Sequence, residues 1–375
     1  MKSILNYIKK EAVLFISLLL ALVSMAFVPL DDEYIGYIDF HTLSILLSLM
    51  VVMAGLRSLG IFSMIGGWML EKTNNVRSLS IVLVMLCFGL SMFITNDVAL
   101  IAFVPFTIDV LVMAGLENYL IRIIVLQTIA SNLGSMLTPI GNPQNLYLFS
   151  LSGMSLGSFI SLMLPYTLLS LIGLLAACVI LIDRKAVSVK VQFHSTLTAK
   201  EKGKSIVYLL LFLFALMSVT HIISAYVVAA VVLAVAFLLD CKVLRKPDYA
   251  LLLTFVFLFV FIGNMKRIPE INLWLNSVIY GHELVTSVFA SQVISNVPAA
   301  ILLSGFTDNI PTLVVGTNLG GLGTIIASMA SLISFKFYSK TESKRNTAYL
   351  WMFTLLNLIF LAMLLLLYIL VRIVR

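Results

Sequence analysis

Residues Phe93–Phe106 read F-I-T-N-D-V-A-L-I-A-F-V-P-F, a long apolar run cut by three adjacent polar residues, Thr95, Asn96 and Asp97. Asp97 stands a dozen or more residues from the nearest other charge on either side, so in a bilayer it lies deep in the hydrocarbon. An ionisable group there is costly unless it faces a cavity or a partner, which makes it a functional-site candidate by default. The plainer reading is a helix interior whose Asp hydrogen-bonds a neighbouring helix. Against it, the same kind of interruption returns at Ser295-Asn296-Val297-Pro298. Two polar breaks in matching places point to a duplicated binding site.

Working outward, the composition sets the class. The chain has 375 residues, 61% hydrophobic and 11% charged, with a mean hydropathy of +1.11. A soluble globule of that size could not hide so much apolar surface. Several segments reach the roughly 20 apolar residues that cross a bilayer, so an all-α polytopic membrane protein is expected. Lys2, Lys9 and Lys10 precede the first span without a small-residue cleavage site, which reads as an anchor rather than a removed signal. The net charge of +7 sits mostly in short loops between spans, a topology signal that does not call for nucleic acid. Cys87, Cys178 and Cys241 form no C-x-x-C pair, so neither a disulfide framework nor a zinc site is expected.

In order, spans are expected near 11–30 and 43–56, the second followed by an interfacial stretch to Trp68. The arms 78–94 and 98–115 around Asp97 read as a re-entrant hairpin or as two crossings, and counting spans does not decide between them. The segment 118–149 is broken by S-N-L-G-S-M-L-T-P-I-G-N-P-Q-N (131–145), whose glycines, prolines and amides cannot all face lipid. Irregular backbone at that depth needs protein or a wet cavity around it, so a discontinuous helix is expected. A span at 156–182 then precedes the long polar loop 184–204. Spans near 205–219, 222–239 and 250–263 follow, then an amphipathic stretch around Trp274, the second tip at 295–298, T-N-L-G-G-L-G-T (317–324), and a last span at 348–370.

A repeat shows within the chain itself. Ser131-Asn132-Leu133-Gly134 lines up with Thr317-Asn318-Leu319-Gly320, Thr138 with Thr324, and 54–57 roughly with 262–265. Paired interruptions of this kind are the best sequence pointer to a transporter site. With a cytoplasmic N-terminus and two hairpins that return to their own sides, all but Lys266, Arg267, Arg372 and Arg375 of the 24 Lys and Arg fall inside. The halves then become inverted repeats, 1–183 and 222–375. Residues 184–221, a cytoplasmic loop and one span, connect them.

The candidate site gathers Thr95, Asn96, Asp97, Asn132, Thr138, Asn142, Gln144 and Asn145 from one half. The other half gives Ser295, Asn296, Thr317, Asn318, Thr324 and Ser328. Hydroxyl, amide and carbonyl oxygens suit a hard cation that must leave again. Helix N-termini, expected after Asp97, Pro143, Pro298 and Gly323, suit an anion. No tip carries Arg or Lys, so an anion must rely on dipoles, amides and bound cations. His41, His194, His221 and His282 are scattered and read as structural. Nothing resembles a nucleophile with its base, so no enzyme activity and no cofactor are expected, an intramembrane enzyme being the distant alternative.

T-N-D-V-A-L-I-A-F-V-P-F, L-T-P-I-G-N-P-Q-N, Q-V-I-S-N-V-P-A and T-N-L-G-G-L-G-T together resemble the ion transporter superfamily. That group holds arsenite permeases, NhaD-type sodium/proton antiporters, citrate carriers and divalent anion–sodium symporters, and the chain is most similar to a short anion permease branch. The resemblance implies two inverted repeats, a cytoplasmic and an extracellular hairpin, a homodimer embedded in lipid, and an elevator movement. It also implies ion or substrate contacts at Thr95, Asn96, Asp97, Asn132, Gly134, Ser295, Asn296, Val297, Asn318 and Gly320. Sodium would sit at Thr95, Asn96, Asn132, Ser295, Asn296 and Asn318. Asp97 and Val297-Pro298 stand where that pattern has hydroxyls, which favours proton coupling through Asp97. The expected function is a secondary transporter of a small inorganic or organic anion in the inner membrane, driven by protons or sodium. A sodium/proton antiporter using Asp97 is the alternative.

Overall fold

A computed structural model describes residues 11–70, 73–186, 197–342 and 345–374. His194 and part of the 184–204 loop lie outside the described residues, as do the first ten residues. Among the described residues the secondary structure is helical, apart from one isolated bridge between Asn75 and Ala186. Among the described residues seven helices are long and apolar enough to cross a membrane. The chain is a multi-pass membrane protein.

The first half runs α1 (Ala12–Met25), α2 (Phe40–Ser58), α3 (Ile61–Leu70), α4 (Val76–Leu90), α5 (Asn96–Met113), α6 (Leu120–Ser135), α7 (Pro143–Ser152) and α8 (Leu156–Leu181). After α9 (Ala199–Val219) come α10 (Ala225–Asp240), α11 (Tyr249–Arg267), α12 (Pro269–Ile279), α13 (Glu283–Ile294), α14 (Asn296–Ser304), α15 (Ile310–Gly320), α16 (Met329–Tyr338) and α17 (Asn346–Val374). From α2 and from α11 the same order follows: a long helix, a short one, two helices meeting at a polar turn, two separated by a break, and a long helix.

Local chemistry sets these starts. Asp39 accepts a hydrogen bond from the Thr42 amide at 2.9 Å at the head of α2, and Asp248 accepts one from the Leu251 amide at 3.0 Å at the head of α11. Each satisfies a backbone donor that the helix itself leaves free. Thr198 and Glu201 form a reciprocal capping box, which starts α9 six residues before the apolar run does. At 26 residues α8 is about 39 Å long, ample for a tilted crossing.

Hydrogen bonds fix where each pair of arms begins and ends. Arg77 at the start of α4 donates to the Ile182 carbonyl at 2.9 Å, and Tyr119, just past α5, donates to Asp183 at 3.1 Å. Both ends of the α4–α5 pair therefore lie at the face where α8 ends, as a re-entrant hairpin and a pair of crossings both require, and the turn between the arms meets the break after α6, where Thr138 donates to the Met92 carbonyl. The second pair does likewise: Glu283 at the head of α13 accepts from Thr307, just past α14, at 3.1 Å. At the other face from Arg77, Arg267 closes α11 with ion pairs to Asp31 at 2.7 Å and Glu33 at 3.4 Å. The hydrogen bond from Arg267 holds the Asp31 carboxyl below its ordinary range.

Packing divides the helices into two groups. In one, α1 lies on α11 and α2 lies on α10 and α9. In the other, α6 is the axis: α4, α5, α8, α16 and α17 pack on it, and nearly all its residues are buried. Around it, α13 lies against α15, and α14 and α15 lie against α7. The two groups meet where α2 touches α7 and α11 touches α14, with α3 and α12 joining them on the outside.

Candidate functional site

Each hairpin places its polar turn beside the broken helix of its own half. In the first, α5 begins at Asn96, two residues before the expected start. The Asn96 amide group donates to Asn132 Oδ1 at 3.1 Å, while its carbonyl accepts from Ser131 Oγ at 2.9 Å. Thr138, in the break after α6, donates its hydroxyl to the Met92 carbonyl. In the second, α14 begins at Asn296 and carries Pro298 in its first turn, where a missing N–H costs nothing. Ser295 holds a φ of 72°, a strained value for a residue with a Cβ. Its neighbour's amide, Asn296 N–H, donates to the Ala327 carbonyl at 2.9 Å.

The two turns are stitched to their breaks in the same way. Thr324 donates its hydroxyl to the Gln292 carbonyl at 3.2 Å, as Thr138 does to Met92. Gln292 adds bonds of its own, to the carbonyls of Gly320 at 2.9 Å and Leu322 at 2.8 Å and from the Thr324 amide at 2.8 Å. Gly134 and Gly320 make close approach possible. A Cβ at Gly134 would lie 2.0 Å from the Phe88 carbonyl oxygen and 2.6 Å from Ser91 Oγ, and one at Gly320 would lie 2.6 Å from Ser291 Oγ. Their part is contact between helices.

The halves are tied together through two asparagines. Ser328, the N-cap residue of α16, donates to Asn132 Oδ1 at 3.0 Å. Asn142, which caps α7 by accepting from the Asn145 amide at 2.9 Å, donates to Asn318 Oδ1 at 3.1 Å. The residue that opens the second arm of each broken helix thus holds the asparagine at the break of the other half. Asn318 also donates to Asn145 Oδ1 at 2.6 Å and to the Val314 carbonyl at 2.7 Å. Asn96, Asn132, Asn296 and Asn318 are each 4–5% exposed. Two polar groups here have no partner among the described residues: the Asn132 amide nitrogen, with its oxygen already used twice, and Asp97 Oδ1. A buried donor without an acceptor is costly, so one at a helix break marks a place for a ligand oxygen.

A cavity of about 500 Å³ reaches the first turn at Asp97, lined by Thr95, Asp97 and Pro143 on one wall and by Arg57, Ser58, Lys246 and Asp248 on the other. A smaller one, about 140 Å³, shares Asp248 and Leu251 with it and reaches Ser295, Val297 and Pro298. The space between the two helix groups therefore touches both turns.

Of the predicted residues, Thr95, Asn96, Asp97, Asn132, Asn142, Asn145, Ser295, Asn296, Asn318 and Ser328 come together, with Val297 at the edge of the smaller cavity. Thr317 turns its hydroxyl to its own helix, donating to the Leu313 carbonyl at 2.7 Å. Thr324 is exposed and serves the Gln292 stitch. Gln144 is buried in the first turn of α7. The fourth half-helix begins at Met329 and not after Gly323, because residues 321–328 form a chain of turns held by Gln292. Arg57, Lys246 and Asp248 were missed; in sequence they read only as charges flanking spans. His41 and His221 stack with ring centres 5.3 Å apart, away from these cavities.

A multi-pass helical protein with two polar hairpin turns and two broken helices meeting between its helix groups is of the membrane transporter class. The chain belongs to the citrate transporter family of the ion transporter superfamily, whose sequence profile matches residues 7–313. It is 33% identical over 315 residues to the inner membrane protein YbiR of Escherichia coli K12, covering 83% of each chain. It is also 33% identical over 307 residues to the uncharacterized transporter MJ0456 of Methanocaldococcus jannaschii, covering 81% of this chain and 82% of that one. A shorter likeness, 32% over 136 residues, links it to the silicon efflux transporter LSI3 of rice, covering 36% of this chain and 27% of that one.

Proposed function

We propose that the protein is a secondary active transporter of a small anion or oxyanion in the cytoplasmic membrane, coupled to protons or sodium. The observation that carries this is the pair Asn132 and Asn318. Each sits at a helix break, each is held by the N-cap residue of the opposite half, and Asn132 leaves an unpartnered N–H group beside helix N-termini. Backbone N–H groups and a positive dipole at the starts of α5, α7, α14 and α16 favour a negative ligand. Neutral oxygens at Thr95, Asn96, Ser295 and Asn296 offer weak sites for sodium, and Asp97 offers a site for a proton. No resident cofactor is part of the proposal.

The chain is further proposed to consist of two inverted repeats, 1–183 and 222–375, joined through 184–221. The hairpins opening to opposite faces, and the reciprocal packing of α1 on α11 and α10 on α2, support this. An elevator movement follows from the two helix groups, the one bearing both turns sliding past the other. The homodimer and the cytoplasmic N-terminus are proposed with it, the basic loops 242–246 and 336–345 lying inside.

A second reading, a sodium/proton antiporter, is favoured by Asp97 Oδ1, a buried carboxylate oxygen without a partner. Purified protein in vesicles separates the two. Flux of citrate, dicarboxylates, sulfate, arsenite and silicic acid is measured under imposed pH or sodium gradients, and sodium-driven proton movement is measured with none of them present. Uptake of one of these solutes, lost in Asn96→Ala and in Asn296→Ala with the protein still folded, is the expected result. Proton movement without solute supports the antiporter, and retained solute flux in both variants removes the paired site.

A further inference from the structure

The site as read from the sequence had no cation, yet the cavity that ends at Asp97 has two. Arg57 is the penultimate residue of α2 and Lys246 lies in the turn before α11; both are exposed, and both line the wall facing the hairpin. Neither side chain takes part in a hydrogen bond or ion pair among the described residues. That sets Arg57 apart from three other arginines near helix ends. Arg77 is committed to the Ile182 carbonyl, Arg122 to the Leu181 carbonyl, and Arg267 to Asp31 and Glu33. Two cations with uncommitted side chains on a cavity about 500 Å³ in volume that reaches Thr95 and Asp97 at the first turn are a different matter from topology charges.

We infer that Arg57 and Lys246 form an anion-collecting subsite on the helix group that does not carry the hairpin turns. This rests on the anion reading of the same cavity and adds where the negative charge is first met. Among the described residues, Asp248, whose carboxylate caps α11, and Asp97 are the only opposing charges on that cavity's walls. With all four ionised the formal charges cancel, so the subsite draws an anion through the local donors of Arg57 and Lys246 and does not trap it. A guanidinium presents a planar fork of donors that matches a carboxylate or other oxyanion, and the ammonium adds a mobile point charge. Because both belong to α2 and the α10–α11 turn, they remain at one face when the turns move. The anion is collected from that face alone.

The field of the cavity can be measured without knowing the substrate. Cys241 is the exposed native cysteine, Cys87 and Cys178 being buried, so Cys241→Ser gives a quiet background. Ser58→Cys places a thiol on the cavity wall. Its reaction rates with an anionic (sulfonatoethyl) and a cationic (trimethylammonioethyl) methanethiosulfonate are then compared at low salt. A unit charge roughly 7 Å away shifts the two rates in opposite senses, together about tenfold before screening. Arg57→Gln and Lys246→Gln should each lower the anionic-to-cationic ratio by about three- to tenfold, Arg57→Lys should largely keep it, and Asp248→Asn, which still caps, should raise it. A ratio unmoved by both glutamine variants overturns the subsite. Lys246 bears no structural bond, so its variant reads the field even if Arg57→Gln folds poorly. Because no transport is scored, the inference and the anion transport reading fail independently.

Discussion

Asn142 and Asn318 offer the sharpest test of how the site is held. Asn318 makes three side-chain hydrogen bonds, at 2.6, 2.7 and 3.1 Å, two of them to residues of the first half. Replacing it by Ala strands Asn145 Oδ1 and an Asn142 N–H in a buried place, at about 1–3 kcal/mol each, so a loss of about 2–5 kcal/mol is expected. Asn142→Ala strands Asn318 Oδ1 and also removes the cap of α7, worth about 1 kcal/mol, for a total of about 2–4 kcal/mol. The bond they share is broken in either variant. The double variant should therefore fall short of the sum by about 1–3 kcal/mol. Reversible unfolding in mixed micelles, monitored by helical circular dichroism, gives the four free energies. Additivity to within about 0.3 kcal/mol would refute the claim that the halves are joined through this pair. A parallel cycle on Asn132 and Ser328 should show coupling of the same sign.

Asp97→Asn keeps the size and one oxygen of the side chain but removes the titratable group, so vesicle flux should persist at reduced rate and lose its response to a pH gradient; unchanged pH dependence would assign Asp97 a structural role. Gly134→Ala forces a methyl onto the Phe88 carbonyl, a backbone atom that cannot step aside, and should cost at least 1–3 kcal/mol, roughly the penalty of overpacking. Gly89→Ala, with nothing within 4 Å, is its control and should be harmless in a thermal melt. Asp31 titrates below its ordinary range because Arg267 bonds it. The stability it adds is therefore present at neutral pH, remains above the unfolded carboxylate range, and is lost as pH falls through the lowered value. Arg267→Gln should flatten that acid limb of the melting temperature, and an unchanged limb would show that the pair adds nothing.

Much of this protein follows from one-dimensional facts. Long apolar runs must be helices in a bilayer, since lipid offers no partner for backbone polar groups. For the same reason the polar interruptions at 95–97, 131–145 and 295–298 had to be buried in protein or wet, which marked Asn96, Asn132, Asn142 and Asn296 as site residues without any coordinates. What the chain alone left open were questions of return and reach. Two arms of 15 and 18 residues serve equally as crossings or as a hairpin; the bonds of Arg77 and Tyr119 bring both ends to one face, as either requires, and only the tertiary structure sets the turn between them against the break of α6. The start of α16 was misplaced because Gln292 reaches across from another helix to hold 321–328 as turns, a constraint with no local signature. Arg57 and Lys246 stand 189 residues apart and look like ordinary flanking charges. Only packing α2 beside the α10–α11 turn brings both onto the wall opposite Asp97, because a cavity's charge is a property of distances in space, and distance along the chain does not encode it.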